Sequence, residues 1–304
     1  MKIGLMTGAD GRRHTLDDMI AFGQRAEAAG FADLWMANVR AFDALMTLTF
    51  IARATTRIRV GTAVTPTPPR HPSALAQQAL TAAAASGNRF TLGIGPSHKI
   101  VTEDMLGLSF AHPARHTREY LQVLMPLLRG EMTNFEGVDY RVHNLQLDVP
   151  GANSVPVLVA ALGPKMLKLT GELADGTSTW MVGPKTMEDH IVKSLNTAAA
   201  AVGRPRPRVV GGFPVVLTNN VAAAREKIAQ ALAIYGQLPS YRAMLDREGF
   251  AGPGELALVG DEVTLRREIA RLESAGVTDL NASIAAVESG AFDRTFEFLA
   301  SLNG

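Results

Sequence analysis

Residues 88–98 read N-R-F-T-L-G-I-G-P-S-H, and this stretch decides the predicted fold. Its apolar run, residues 90–94, has turn-forming residues on both sides, which is typical of a strand buried within a parallel sheet. The strand then runs into a glycine, a proline, a serine and His98. In parallel α/β proteins the loops after the carboxyl ends of the strands carry the chemistry. The stretch therefore predicts one edge of a candidate active site.

Gly93 and Gly95 also have a simpler interpretation, in which they only relieve crowding where the strand meets a helix. A dinucleotide-binding fingerprint does not fit them, because its third glycine would fall at His98. Pro96 also lacks the amide hydrogen that a phosphate group would accept. A functional interpretation therefore depends on other strands ending in a similar way.

The composition indicates a globular protein with a large core, since 47% of the 304 residues are hydrophobic and 19% are charged. The net charge of +1 gives no strong attraction for nucleic acid or an anionic membrane. The absence of cysteine excludes disulfides, thiolate catalysis and cysteine-ligated metals. With no signal-like segment and no bilayer-length apolar run, we expect a cytoplasmic protein without nucleic-acid or membrane partners.

Eight apolar runs alternate, for the most part, with helical segments along the chain. The alternation predicts a parallel sheet, and the number favours a (β/α)₈ TIM barrel, formed by one domain over residues 1–304. A doubly wound open sheet remains the alternative, because counting strands does not show that the sheet closes. The predicted strands are residues 2–7, 33–36, 59–62, 90–94, 157–161, 176–181, 209–217 and 280–285.

The pattern changes between the fourth and fifth predicted strands. Tyr140, Val142, Leu145, Leu147 and Val149 roughly alternate with polar residues, as in short exposed strands. We interpret roughly residues 130–153 as an insertion outside the barrel wall.

If the sheet closes, one rim gathers the ends of all eight strands, and few charged residues lie there. The rim offers no carboxylate pair for glycoside hydrolysis, no cluster with metal-ligand spacing and no G-x-S-x-G motif. His112 and His116 have helical spacing, but no glutamate completes a zinc motif, so we expect no metal. Such a rim suits a flat, largely apolar ligand whose own atoms react.

Gly163, Pro164 and Lys165 follow the fifth predicted strand and open a helix. Proline suits the first helical position, and free amides beside a lysine can bind phosphate. A plain tight turn with a surface lysine is the alternative. His98 titrates in a range that suits general acid or base catalysis, although a structural histidine is again the simpler interpretation.

Five segments in this order resemble the luciferase-like monooxygenase superfamily, and more narrowly its branch that uses the deazaflavin coenzyme F420. The similarity extends over nearly the whole chain, and residues 258–262 add a weaker match near the end. The segments are 26–35 (A-E-A-A-G-F-A-D-L-W), 61–64 (G-T-A-V), 89–98 (R-F-T-L-G-I-G-P-S-H), 160–166 (A-A-L-G-P-K-M) and 171–176 (G-E-L-A-D-G).

The resemblance implies a (β/α)₈ barrel with an insertion, commonly dimeric, that binds a flavin or deazaflavin at its C-terminal rim. The ring would lean on a bulge at Ala63 and Val64, often with a non-proline cis peptide, and the loop after the fifth strand would hold the cofactor phosphate. The expected cofactor-binding residues are Thr7, Asn38, Thr62, Ala63, Val64, Gly95, Ser97, Gly163, Pro164, Lys165, Met166 and Thr177.

The chain departs from the deazaflavin sugar-phosphate dehydrogenases of this superfamily. They carry an acidic residue and then a catalytic histidine after the second strand, where this chain has Asn38 and Val39. Their glutamate after the fourth strand corresponds to His98. Their alcohol-oxidising mechanism therefore does not transfer, and we expect a reductase that passes hydride from deazaflavin C5 to a small organic substrate. His98 would deliver a proton or orient the substrate, and Asn38 would hydrogen-bond the ring or the substrate.

Two other functions remain open. One is an FMN-dependent monooxygenase on the same fold, and the other is a non-catalytic deazaflavin- or flavin-binding protein that stores the cofactor. A barrel aldolase is disfavoured, because no strand-end lysine in the middle strands could form a Schiff base. We expect Trp35 to be a core residue and Trp180 to line the pocket.

Overall fold

The computed structural model describes residues 1–8, 14–39 and 41–303. Eight parallel strands close into a barrel in the order β1-β2-β3-β5-β8-β9-β10-β12, and β1 pairs with both β2 and β12. The predicted (β/α)₈ barrel is confirmed, and closure excludes the open doubly wound sheet. The strands are β1 Lys2–Thr7, β2 Asp33–Met36, β3 Arg59–Thr62, β4 Thr65–Pro66, β5 Phe90–Gly95, β6 Thr133–Glu136, β7 Arg141–Leu145, β8 Val157–Val159, β9 Gly176–Trp180, β10 Arg208–Leu217, β11 Leu258–Gly260 and β12 Asp279–Ile284.

The helices surround the barrel, and polar side chains fix where several of them begin. Thr15 and Asp18 form a reciprocal capping box at the first helix, and Asp43 and Asp261 cap two others. No helix within residues 1–8, 14–39 and 41–303 combines the length and apolar character needed to cross a bilayer. The α-helices are α1 Leu16–Ala28, α2 Ala44–Arg53, α3 Pro72–Ala85, α4 Pro113–Leu128, α5 Pro164–Leu173, α6 Pro184–Thr186, α7 Lys193–Ala201, α8 Val221–Ala231, α9 Ala233–Gln237, α10 Pro239–Glu248, α11 Glu262–Ser274 and α12 Ala291–Ala300, with π-helical segments at Ile100–Met105 and Met187–Val192 and 3₁₀ turns at Pro253–Leu256 and Ser301–Asn303.

Two short strands of the main sheet were not among the eight predicted ones. β4 has two residues and pairs with the end of β5, while β11 has three and pairs with the last residues of β10. β10 is ten residues long and pairs with β9 through its first half, so its second half has a free edge for β11. Runs of two or three residues show no alternation, which explains why the sequence does not reveal them.

The predicted insertion contains an antiparallel hairpin between α4 and β8. β6 and β7 pair with Phe135 opposite Val142. The alternation extends less far than the sequence suggests, because Tyr140 lies in the turn and Leu147 and Val149 lie beyond β7.

The N-terminal half of the barrel interior is filled by side chains. The Arg208 guanidinium bonds both carboxylate oxygens of Asp279, at 2.7 and 2.8 Å, and reaches Asp33 at 3.1 Å. Arg208 lies 5.1 Å from the ring of Trp35, which packs on Leu158 and is 0% exposed. Trp35 is thus a core residue, as predicted, and the strand ends above it form the rim.

Candidate active site

Small side chains occupy most of the inward positions at the C-terminal ends of the barrel strands. Side chains along a strand alternate between the inside and the outside of the barrel. The buried side chains in the N-terminal half of the barrel therefore show which residues nearer the rim face inward. Several of these rim residues are only half-buried, whereas the layer below them is fully buried, so the rim forms an open concavity. The inward rim residues are Met6, Ala63, Gly95, Ala160, Trp180, Gly212 and Ser283.

The peptide bond between Ala63 and Val64 is cis. The Ala63 amide donates to the carbonyl of Met36 at 2.8 Å, and the Val64 carbonyl accepts from the amide of Asn38 at 3.3 Å. These bonds hold the bulge against the end of β2. A Cβ atom on Gly95 would lie 2.9 Å from Val64 Cγ2, so the glycine makes room for the bulge. The predicted cis bulge is confirmed at its predicted position.

Asn38 is half-buried beside this bulge and directly follows β2. Its Oδ1 accepts a hydrogen bond from the Ala44 amide at 2.9 Å, at the start of α2. Its side-chain nitrogen has no hydrogen-bond partner within the described part of the chain and is available as a donor. The next residue, Val39, is 67% exposed at the mouth of the rim.

His98 lies in the turn after β5. Ser97 has a left-handed backbone, with φ of +64°, and the His98 carbonyl accepts from the amides of Val101 and Thr102. The half-buried imidazole makes no hydrogen bond to any residue that the structure describes, and its ring centroid lies 5.8 Å from that of Tyr241. Burial lowers the pKa of His98, so at pH 7 the neutral ring offers one donor and one acceptor.

Tyr235 and Tyr241 join the site from α9 and α10. The rings of His98, Tyr241, Tyr235 and Trp180 form a chain with centroid separations of 5.8, 4.9 and 6.5 Å, which we call the aromatic arc. The sequence analysis did not identify either tyrosine as a site residue. One feature of the sequence could have indicated them: of the four tyrosines in the chain, two lie six residues apart in this segment.

The start of α5, after β8, supplies a set of donors suited to phosphate. Gly163 is the N-cap without a side-chain cap, and it is exposed together with Pro164 and Lys165. The amides of Lys165 and Met166 lie in the first turn, where a helix leaves its amides without internal partners. A Cβ atom on Gly163 would meet nothing within 4 Å, so there is room beside the amides and the lysine.

Thr7 and Thr62 end β1 and β3, Thr177 is the second residue of β9, and all three face away from the barrel interior. Thr62 Oγ1 donates to the Gly93 carbonyl at 2.7 Å, and Thr177 Oγ1 donates to that of Val159 at the same distance. Thr7 Oγ1 contacts the Met19 sulfur at 3.7 Å, and all three threonines are buried. Their assignment as cofactor-binding residues stays a prediction.

His112 and His116 do not converge on a common point. His112 precedes α4 with a left-handed backbone and is exposed. His116 Nε2 lies 3.3 Å from the hydroxyl of Tyr140 and 3.4 Å from that of Thr67. Over the described ranges no group of three or more histidine or acidic side chains could hold a metal ion. The expectation that no metal is bound stays a prediction.

Two named proteins are similar in sequence to most of this chain. A 5,10-methylenetetrahydromethanopterin reductase from Methanolobus tindarius is 29% identical over 260 residues, which cover 85% of this chain and 78% of that protein. A Mycobacterium tuberculosis protein, provisionally named as a coenzyme F420-dependent oxidoreductase, is 30% identical over 260 residues, or 77% of this chain and 72% of that protein.

Solved structures share the fold. The coenzyme F420-dependent tetrahydromethanopterin reductase from Methanopyrus kandleri superposes with a TM-score of 0.82 at 23% identity, covering 98% of this chain and 97% of that one. A type II Baeyer–Villiger monooxygenase from Pseudomonas putida, in complex with FMN, gives 0.78 at 17% identity, covering 99% and 96%. The family model described as luciferase-like monooxygenase matches residues 1–287, and the chain belongs to this family.

Proposed function

We propose that this protein is a coenzyme F420-dependent oxidoreductase that works as a reductase. When bound, the deazaflavin would supply hydride from its C5 to an activated double bond or carbonyl of a small organic substrate. The observation that carries the proposal is the cis bulge at Ala63 and Val64 beside a rim of small residues, with a neutral His98 close by. The names of the relatives from Methanolobus tindarius and Mycobacterium tuberculosis support the same cofactor class.

The rim residues fit a flat ring with a phosphate-bearing side chain. Ala63, Gly95 and Ala160 leave space at the strand ends, and the free side-chain nitrogen of Asn38 can donate to a ring heteroatom. Lys165 and the first amides of α5 would hold the phosphate, because a helix start favours negative charge. Ser97, Gly163, Pro164 and Met166 would complete these contacts.

His98 would supply the proton that the reaction requires. Reduction of a double bond by hydride leaves one atom that must take up a proton, and the His98 ring can hold a proton on either nitrogen. It would also orient a carbonyl oxygen by hydrogen bonding. Asn38 and Val39, which follow β2, contain no group that could remove a proton from an alcohol, so proton transfer at the rim would depend on His98.

Cofactor binding is the first test. The purified protein is titrated with F420 and separately with FMN, with ligand or protein fluorescence as the readout. We expect saturation by F420 at low micromolar concentration and much weaker binding of FMN. Lys165→Met should weaken F420 binding about three- to tenfold, since an exposed charged hydrogen bond gives only part of its usual strength.

The matched control for this test is Lys168→Met. Lys168 lies one turn further along α5 and pairs with Glu172, so its loss should leave F420 binding unchanged. Failure to bind either cofactor would refute both cofactor assignments.

An FMN-dependent monooxygenase is the second candidate, because the FMN complex from Pseudomonas putida has the same fold. Preference for FMN, with turnover that requires oxygen and a flavin reductase, would favour it. Tight F420 binding without turnover over a broad panel of enones, aldehydes and imines would instead favour a cofactor-storage protein.

We also propose a homodimer. Phe42, Met46 and Phe50 are 39%, 63% and 46% exposed and follow one another at four-residue spacing, the last two on α2. Four-residue spacing places Met46 and Phe50 on one face of α2, and Phe42 lies just before the Asp43 N-cap of the same helix. We call these three exposed residues the apolar stripe. The cytoplasmic location and the absence of nucleic-acid and membrane partners stay predictions from the composition.

A further inference from the structure

The aromatic arc joins the ends of two barrel strands. His98 follows β5 and Trp180 ends β9, while β8 lies between these two strands in the barrel. The inward residues at the ends of β5 and β8 are Gly95 and Ala160, and a Cβ atom on Gly95 would lie 3.1 Å from that of Ala160. Aromatic rings and small inward residues therefore occupy neighbouring strand ends on this part of the rim.

The arc carries no charge of its own at neutral pH. Burial lowers the pKa of His98 and raises that of Tyr235, and no charged group contributes to either change. Burial and then Tyr235 raise the pKa of Tyr241. All four rings are therefore neutral, and an ionic substrate would find no counter-charge among them.

Two charged side chains on α10, those of Arg242 and Glu248, bind groups outside the aromatic arc. Arg242 bonds the Asp246 carboxylate at 2.8 Å and the carbonyls of Phe250 and Ala251. Glu248 accepts the backbone amide of Thr186 at 2.5 Å. The charges of Arg242 and Glu248 are therefore held by these partners, and Arg247 is exposed on α10 six residues from Tyr241.

The polar atoms of the arc lack partners within residues 1–8, 14–39 and 41–303. The Trp180 indole nitrogen is buried without a hydrogen bond. The hydroxyl groups of Tyr235 and Tyr241 also bond none of the described residues. An unsatisfied buried donor is costly, so a ligand that brings an acceptor atom to the arc would stabilise it.

We propose that the aromatic arc selects the substrate, and that it takes a flat, uncharged, conjugated carbonyl compound. This inference rests on the proposed reductase function, because a conjugated carbonyl is also a hydride acceptor. The Tyr241 ring stacks on the conjugated plane, and the Tyr235 ring, at 78° to it, contacts that plane by its edge. His98, which neighbours Tyr241, offers a donor to the carbonyl oxygen. Tyr235, Tyr241 and Trp180 are specificity residues in this arrangement.

Equilibrium dialysis of the full-length protein tests the arc without requiring turnover. The probes are 2-acetylnaphthalene, its saturated counterpart 2-acetyldecalin, and the 2-naphthoate anion, each measured with and without saturating F420. We expect the naphthyl ketone to bind about three- to tenfold more tightly than either other probe, as aromatic pairing predicts.

Three variants locate the effect. Tyr241→Leu should remove the preference for the naphthyl ketone while changing the affinity for 2-acetyldecalin by less than about twofold. Tyr241→Phe should keep the preference, because it keeps the ring. Ile234→Ala is the matched control, since Ile234 neighbours Tyr235 on α9 and is 50% exposed. It should behave like the wild type, and a melting curve for each variant confirms that it is folded.

The outcomes separate this inference from the proposed function. Equal binding of the two ketones by the wild type would overturn the arc inference, even if F420 binds. An equal loss for both ketones in Tyr241→Leu would overturn it as well. Ring-dependent selection in a protein that fails to bind F420 would support the arc and refute the proposed cofactor.

Discussion

Gly93 faces the interior of the barrel just below the rim, where a neighbouring backbone comes very close. A Cβ atom at this position would lie 2.0 Å from the carbonyl oxygen of Thr62. The same threonine bonds the Gly93 amide and carbonyl through its hydroxyl, at 2.9 and 2.7 Å. Gly163 has no such neighbour, so the two glycines form a natural comparison.

Gly93→Ala should destabilise the protein strongly. The methyl group would collide with backbone, which cannot move aside as a flexible side chain would, so we expect a loss of about 1–3 kcal/mol or more in the free energy of unfolding. Gly163→Ala should change it by less than about 0.5 kcal/mol. Urea denaturation of both variants checks this, and similar midpoints for the two would contradict the crowding at Gly93.

The residues that the sequence located are those that directly follow a strand. Asn38 and His98 were placed on the rim this way, because a strand end fixes a place there without knowledge of other elements, and their roles in the site stay predictions. The direction of a strand-end side chain is harder to predict, since a shift of one residue reverses it. For this reason Thr62, whose hydroxyl bonds the barrel wall, was not distinguished from Ala63, which faces the site.

At the scale of elements, the inserted hairpin is fastened to α4 by the Glu119 carboxylate and by an ion pair between Arg115 and Asp139, at 3.0 and 3.1 Å. Glu119 is 7% exposed and accepts the backbone amides of Val138, Asp139 and Tyr140 at 3.1, 2.7 and 3.2 Å. Beyond the turn, the Tyr140 hydroxyl lies 3.3 Å from His116 Nε2. Glu119 therefore helps to hold this turn beside the barrel.

Glu119→Ala should loosen the hairpin without unfolding the barrel. Three partly buried amides would lose their acceptor, and since an unsatisfied buried group costs about 1–3 kcal/mol, their combined loss should make local opening about tenfold more frequent. Hydrogen–deuterium exchange over residues 133–145 measures this opening. Glu131→Ala is the control, because Glu131 is exposed and pairs only with Arg129 among the described residues. Unchanged exchange in Glu119→Ala would contradict this role.

The barrel strands could be predicted because each is an apolar run between turn formers, whereas the aromatic arc could not. Tyr235 and Tyr241 lie on helices that follow β10 in sequence, and their contact with His98 joins residues far apart in the chain. Local periodicity reveals that α10 is helical but not which face turns to the rim. Local periodicity also did not show where the hairpin turns, because Tyr140 fits the alternation but lies in the turn.

For the whole molecule, three imidazoles link stability to pH. Burial lowers the pKa of His71, His98 and His116, although Asp139 and Glu119 partly oppose this at His116. In the unfolded chain a histidine takes up its proton near pH 6.5. In the folded chain these three do so only at lower pH, so below pH 6.5 the unfolded state binds more protons.

The free energy of unfolding should therefore fall as the pH decreases from 7.5 to 5.5. Replacing the three histidines with glutamine should flatten this dependence. Below about pH 4 the carboxylates of Asp139 and Asp279, whose pKa values are lowered by their arginine partners against the effect of burial, add a second loss. Urea titrations at pH 7.5, 6.5 and 5.5 measure how the free energy of unfolding changes over the range in which the histidines titrate. A pH slope unchanged by the triple substitution would contradict it.

The apolar stripe of Phe42, Met46 and Phe50 makes the proposed dimer testable in the same protein. Burial of a large apolar side chain stabilises association by about 1.5–3 kcal/mol, and a lysine placed there would add a desolvation cost. Met46→Lys should therefore weaken the dimer at least about a hundredfold. Sedimentation equilibrium at micromolar concentrations should then give the chain mass for the variant and twice that mass for the wild type. Met105→Lys, at a residue 56% exposed but remote in sequence from the stripe, is the control that should remain dimeric. A wild-type protein that sediments as a monomer would show that the stripe has another role, because Met46 would then have no partner to lose.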